Sequence, residues 1–210
     1  MSARTILTLA NGKGANLVAP TAADIDFEVI AEHLAKVKRY NGATPDREYS
    51  VAEHTVRGCG AILADTGDKT LAAYFALHDA PEHALGDDTT PKKCAIAEIA
   101  EQKFGILSGA IMQAFQEQTD RFDAAIHEAA GLPWPMPPEI ARAVKHYDLV
   151  MFVTEWRDLM PGFVHPAWDD YRDIAPLPSV IEPWTWPAAK LALWSSFRAL
   201  LPALAASEVA

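Results

Sequence analysis

Cysteine is nearly absent: Cys59 and Cys94 are the two in 210 residues, and their separation matches neither a metal-ligand nor a redox spacing. That excludes a disulfide scaffold, a zinc ribbon and a thioredoxin-type motif. Both thiols read as buried small hydrophobes in a reducing compartment. No apolar run approaches the length of a membrane span, and the first residues lack a positive start followed by an apolar stretch. A soluble, cytoplasmic protein with no membrane partner is therefore expected. Positive charge is also scarce, 18 Lys and Arg against 28 Asp and Glu for a net charge of −10. A binder of nucleic-acid polymers usually advertises a basic face, so that class is set aside, while a small anionic substrate stays open. Strand patterning is confined to residues 4–24, where early alternation and Asn11-Gly12 predict a short hairpin or extended lead-in. Gly12-Lys13-Gly14 lacks the spacing of a phosphate loop and reads as a turn.

What remains is helical. Half of the residues are apolar, ample for the core of one domain, with or without an appendage. A helix is predicted from Asp24 or Asp26, with Phe27, Ile30, Leu34 and Val37 on one face. It runs to Lys36, Lys38 and Arg39, cations that suit a helix C-terminus, and stops at Asn41-Gly42. His33, on its polar side, reads as exposed. Ser50 and Glu53 have the spacing of a capping box, opening a helix from about Val51 to Ala64. Gly58 and Gly60 inside it cost roughly 1 kcal/mol each against alanine, which close approach of another helix near His54 would explain. Thr90-Pro91 opens a helix through Cys94, Ile96, Ile99 and Phe104. Another, from about Ser108 to Ala130, turns Ile111, Met112, Phe115, Phe122, Ile126 and Ala129 toward a core. The proline run 133–138 breaks the pattern, and Pro138-Glu139 starts a helix reaching Leu159-Met160. Residues 161–187 hold six prolines with Trp168, Trp184 and Trp186, an irregular packed segment rather than a linker. A closing helix runs from Pro187 to Leu201, and Pro202 marks its end. The chain divides into a domain over 1–160 and a tail over 161–210 that packs on it or on a neighbouring subunit, so a homo-oligomer is expected.

Chemistry concentrates between Leu71 and Lys93. An apolar helix carrying Leu71, Ala72, Phe75 and Ala76 delivers His78-Asp79 at its end, followed by Glu82, His83, Asp87 and Asp88. Buried imidazole and carboxylate groups are costly without partners. A divalent cation turns such clustered acceptors from mutual repulsion into a coordination shell. Two further ligands suggest themselves: His54, in the first turn and a half of the helix that Ser50 caps, and Asp148. Asp148, Met151, Phe152, Glu155 and Leu159 share one helix face. Two imidazoles and two carboxylates suit a first-row transition ion, Co, Mn or Zn.

The set His54, His78-Asp79 and Asp148, in that order, resembles the HD superfamily of metal-dependent phosphohydrolases. The resemblance rests on Tyr49-Ser50-Val51-Ala52-Glu53-His54, on His78-Asp79-Ala80-Pro81-Glu82, on Gly86-Asp87 with Pro91-Lys92, and on the Asp148 helix, together spanning roughly residues 25–160. It is similar in particular to the small bacterial 5′-deoxynucleotidases and the phage dATP triphosphohydrolases. The resemblance implies an all-α HD bundle of six or seven helices, a metal held by His54, His78, Asp79 and Asp148, and a small deoxynucleotide substrate. It places Arg39 on the substrate phosphate and Asp87 on the sugar or in proton transfer. Tyr40 lines a base pocket or simply packs. Glu82, one turn beyond Asp79, orients the water or protonates the leaving oxygen, or else accepts a hydrogen bond from His78. Lys92 and Lys93 would suit a longer phosphate tail. His83 stands where alarmone hydrolases usually have an acid, which disfavours that branch. His127, His146 and His165 read as structural or exposed. The N-terminal half leans slightly to triphosphohydrolysis of dNTPs. Removal of orthophosphate from dNMPs and a non-catalytic nucleotide-binding module both stay open.

Overall fold

The computed structural model describes residues 3–160, 162 and 168–207. Pro161 and His165 lie outside the described residues, as does the rest of 161–167 apart from Gly162. The hairpin is present: β1 (Ile6–Thr8) and β2 (Gly14–Asn16) run antiparallel with Leu7 opposite Ala15. They are joined through Gly12, at φ 78°, a left-handed conformation that glycine adopts without a Cβ clash.

Helices follow in the order α1 (Phe27–Lys36), α2 (Val51–Thr66), α3 (Lys69–Leu77), α4 (Glu82–Leu85), α5 (Thr90–Phe104), α6 (Ser108–Ala130), α7 (Pro138–Leu159), α8 (Trp186–Leu200) and α9 (Pro202–Ser207). The fold is all-α apart from the hairpin. Among the described residues, seven of these helices run nine residues or more, the remaining two being α4 and α9, in line with the expected six or seven. The caps explain several boundaries. Asp26 accepts hydrogen bonds from the Glu28 and Val29 amides at the start of α1, and the Ser50 hydroxyl accepts from the Glu53 amide at the start of α2. Such caps are each worth about 1 kcal/mol.

Three departures from expectation matter for the site. First, α1 stops at Lys36; Val37 and Lys38 are extended, and Lys38 bridges Ser50. Arg39 therefore opens a short 3-10 turn, Arg39–Gly42, instead of closing a helix. Second, Pro202 follows the end of α8 as expected, but it also opens a further short helix, α9. Third, the capping box is half formed, because Glu53 is fully buried and its carboxylate accepts from the Trp184 amide at 2.8 Å and from Arg57.

The core is centred on α3, whose residues from Leu71 to Leu77 are all buried. Around it pack α2, α6, α7 and α8. The closing helix thus belongs to the interior: Ala189, Leu193 and Phe197 are fully buried, and Phe197 meets Phe27 edge-on at 5.6 Å. The segment before it is tied down beside the ligand helix, with the Arg57 guanidinium 4.7 Å from the Trp184 ring centre and its Nη2 donating to the Glu182 carbonyl. The α5–α6 hairpin behaves differently. Only Ala97 and Ala100 of α5 are buried, Phe104 is 70% and Leu107 71% exposed, and Cys94 is exposed rather than buried. On α6, Phe122 and Ile126 reach the core while Ile111, Met112 and Phe115 remain half-buried.

The two interior glycines of α2 have different reasons. A methyl group on Gly58 would lie 2.1 Å from Phe75 Cε1, whereas nothing stands within 4 Å at Gly60. Gly58→Ala is expected to cost about 1–3 kcal/mol by overpacking, and Gly60→Ala to gain up to ~1 kcal/mol from helix propensity. Denaturant titration of both variants checks the pair.

Candidate metal centre

Helices α2, α3 and α7 each bring a ligand group to a common point. His54 lies on the buried first turns of α2, His78 caps the C-terminus of α3 with Asp79 just beyond, and Asp148 stands mid-way along α7. His54 Nε2 and His78 Nε2 are 3.3 Å apart. Asp148 Oδ1 lies 3.6 Å from the first and 4.0 Å from the second. Asp79 Oδ2 lies 3.2 Å from His78 Nε2 and 3.7 Å from His54 Nε2. Ligands about 2.0–2.2 Å from a tetrahedral ion stand about 3.4 Å apart, so the spacings fit a single first-row cation.

Both imidazoles are oriented for this. The Glu155 carboxylate can only accept, so His54 Nδ1, 2.5 Å from Glu155 Oε1, carries the proton. His78 Nδ1 donates to the Phe75 carbonyl at 2.6 Å. In each neutral ring the lone pair then sits on Nε2, facing the shared point. The Phe75 ring packs against both imidazoles, 4.3 Å from His78 and 5.9 Å from His54 between ring centres. Two lone pairs and the Asp148 carboxylate converging on one point, with Asp79 beside the two histidines, call for positive charge there. The proton affinities express the same demand. Burial opposes a charged His78, yet Asp79 and Asp148 raise its pKa to about 9. Asp148 is held below the usual carboxylate range by both histidines against the opposing effect of burial. A divalent ion here would displace that proton.

Glu155 is a member of the site that its sequence pattern does not single out. It is fully buried and serves three donors at once: His54 Nδ1, Arg39 Nε at 2.9 Å and the Tyr40 hydroxyl at 2.7 Å. Burial alone would favour its neutral form, but Arg39 and His54 lower its pKa to about 2. The signal that could have found it is its position seven residues after Asp148 on the same face of α7. To bring Arg39 and Tyr40 onto it, Tyr40 and Asn41 adopt left-handed φ values of 57° and 53°, which for non-glycine residues cost on the order of 1 kcal/mol each. Arg39 also reaches Asp79, Nη1 to Oδ2 at 3.4 Å, so these two carboxylates engage Nε and Nη1, and Nη2 has no hydrogen-bond partner among the described residues. Tyr40 is engaged by Glu155 and rests edge-on against Trp156.

Beside the ligands' common point, on the Asp79 side, a polar cavity of about 200 Å³ is lined by His78, Asp79, Glu82, Asp88, Lys93 and Gln118 among others. Glu82 does not accept from His78, whose Nδ1 is taken by Phe75. Its Oε2 is buried without a partner among the described residues. Burial, reinforced by the charges of Asp79 and Asp87, pushes its pKa well above the ordinary carboxyl value. Asp87 is also raised by burial, with Arg39 and Asp79 acting on it in opposite senses. Lys92 pairs with Asp88 and is half exposed, and it is Lys93 that lines this cavity. A second, apolar cavity of about 360 Å³ opens on the Asp148 side.

The remaining histidines divide. His33 is not exposed as its position on α1 suggested: it accepts from the Ala10 amide and donates to the His83 carbonyl, stapling the hairpin to α4. His83 is buried, donates to the Ala80 carbonyl, and has a pKa lowered to about 4 chiefly by burial. His146 is exposed against Tyr147. His127 is fully buried on α6 and donates from Nδ1 to the Asp123 carbonyl. Asp123 itself is 6% exposed, its Oδ1 unpartnered among the described residues, and burial, with Asp120 adding, raises its pKa to about 8. Raised above its unfolded value, Asp123 binds a proton in the folded state that the unfolded chain has released. Its contribution is present below about pH 4 and lost as pH climbs to about 8, a swing on the order of 5 kcal/mol. Asp123→Asn should remove this dependence, so that the variant gains on the native protein in melting temperature between pH 6 and pH 9.

No family model matches the chain. Over 144 residues, 67% of this chain, it is 38% identical to the uncharacterized protein RCAP_rcc00048 of Rhodobacter capsulatus, covering 65% of that protein. Over 136 residues, 65% of this chain, it is 29% identical to the uncharacterized protein YfdR of Escherichia coli K12, covering 62% of it. The similarity thus spans a little under two thirds of the length of each of these relatives.

Proposed function

We propose that the protein is a metal-dependent phosphohydrolase acting on deoxynucleotides. The observation that carries this reading is the convergence of His54 Nε2, His78 Nε2 and Asp148 Oδ1 within 4.0 Å of one another, with Asp79 alongside. The resemblance to the HD superfamily over residues 25–160 supports the same chemistry. A divalent ion held there supplies a more acidic water and neutralises charge on phosphoryl oxygens.

The chain's own groups supply the rest. Glu155 and the Phe75 carbonyl fix the ring orientation of the two histidines. Arg39, held by Glu155 and Asp79, offers its remaining guanidinium edge to the phosphoryl group. Glu82 moves the proton: a carboxyl tuned above its usual range is a better base toward water than an ordinary carboxylate, and a competent acid toward the departing oxygen. Asp87, whose carboxyl is also raised by burial, is a second group suited to proton transfer.

The charge lining the polar cavity favours the monophosphate over the triphosphate. Lys93 is the one Lys or Arg among the described lining residues, beside the carboxyl groups of Glu82, Asp79 and Asp88, and a triphosphate tail would need several. Triphosphohydrolysis is the second reading, supported by the Arg39-Tyr40-Asn41-Gly42 stretch. Incubating the purified protein with each dNMP and dNTP in Mn, Co or Zn tests both. Orthophosphate from dNMPs is the expected result, triphosphate from dNTPs would select the second reading, and inertness toward all would contradict hydrolysis.

A further inference from the structure

We propose that the apolar cavity on the Asp148 side is a subsite for the flat ring of the substrate, a nucleobase, with Trp134 as its principal wall. The inference rests on the phosphohydrolase reading and extends it to the part of the substrate remote from phosphorus. The cavity shares His78 and Asp148 with the metal centre, and its other walls are Trp134, Pro135, Met136, Ala141, Val144 and Lys145. At about 360 Å³ it falls within the ~300–1,000 Å³ range of small-molecule sites. Lys145 and Asp148 are already committed to each other, the ammonium donating to Asp148 Oδ2 at 2.8 Å, so what the cavity presents is apolar and aromatic surface. That is the wrong chemistry for a phosphate and the right one for a π-face.

The wall is fixed in advance. The Tyr74 hydroxyl donates to the Pro133 carbonyl at 3.0 Å, and the Trp134 ring lies against His127, 4.6 Å between centres. His127 is itself anchored to the Asp123 carbonyl and flanked by Tyr74 at 5.6 Å. The buried His127 and Tyr74 thereby hold the proline-rich loop between α6 and α7 so that an indole faces the centre. A pre-positioned aromatic costs little entropy when a ring stacks on it.

Calorimetric titration of the Mn-loaded protein with dAMP and with abasic 2-deoxyribose 5-phosphate tests the assignment, alongside hydrolysis of the same two esters. The expected result is dAMP binding at least about tenfold tighter than the abasic ester, as stacking on an aromatic provides. Trp134→Ala should erase most of that difference. Because Trp134 also packs on His127, Ala141→Trp is the second variant: Ala141 is exposed, and a bulky side chain there fills the cavity without removing a core contact. It should weaken dAMP while leaving the abasic ester unchanged. Equal binding of the two esters to the native protein, or indifference of the dAMP advantage to both variants, overturns the subsite even if phosphate is released. A dAMP advantage abolished by Ala141→Trp in a protein that hydrolyses neither ester upholds the subsite and refutes the hydrolase.

Discussion

His78→Ala is expected to abolish stoichiometric metal binding and to lower phosphoester turnover by about a thousandfold or more, equivalent to at least ~4 kcal/mol of barrier, while the helical fold persists. The imidazole is one of two nitrogen donors at the centre, and its removal leaves His54 with two carboxylates that repel each other. The fold should survive because the apolar core formed by α2, α3, α7 and α8 does not depend on this one side chain. The cleanest readout is therefore the metal dependence of stability. Excess Mn should raise the melting temperature of the native protein, corresponding to ~3–4 kcal/mol at 100–1,000 times the dissociation constant. The variant should not respond. A variant that retains both the metal response and normal turnover would refute the ligand assignment.

Glu155→Ala should be the most destabilising single change in the site, about 3–5 kcal/mol, because it strands a buried guanidinium. Arg39 has 13% of its side chain exposed and makes its shorter ion-pair contact with Glu155, at 2.9 Å. The same truncation leaves His54 Nδ1 and the Tyr40 hydroxyl without their acceptor. At roughly 2–4 °C per kcal/mol for a chain of this size, the melting temperature should fall by about 10 °C. Glu155→Gln retains the shape but exchanges an acceptor for an amide against His54, and should weaken metal binding by about 10–100-fold with a smaller loss of stability. An alanine variant melting within ~2 °C of the native protein would show that Arg39 finds another partner and that Glu155 is not the hub of this network.

The four candidate ligands are legible in the sequence because each announces itself locally. His54 follows a capping box, His78-Asp79 ends an apolar helix, and Asp148 interrupts an apolar face, so in each case a polar group stands where packing alone would not put it. Glu155 is legible in kind, on the same face two turns beyond Asp148, but its role needs Arg39 and Tyr40. Those arrive through two left-handed residues, of which Asn41 suits that conformation and Tyr40 does not. The aromatic wall is illegible for a different reason. A run of prolines shows where helices break, yet says nothing about where Trp134 comes to rest, which depends on Tyr74 and His127 more distant in sequence. The α5–α6 hairpin fails on the same ground. Periodicity shows which of Ile96, Ile99, Phe104 and Ile111 share a face, but not whether another element arrives to cover it.

Anomalous diffraction from crystals of the Mn- or Co-loaded protein tests the shared metal centre most directly. One strong peak per chain is predicted, about 2.0–2.3 Å from His54 Nε2, His78 Nε2 and a carboxylate oxygen of each of Asp79 and Asp148. Full metal loading with the peak elsewhere, or no bound ion at saturating metal, would contradict it.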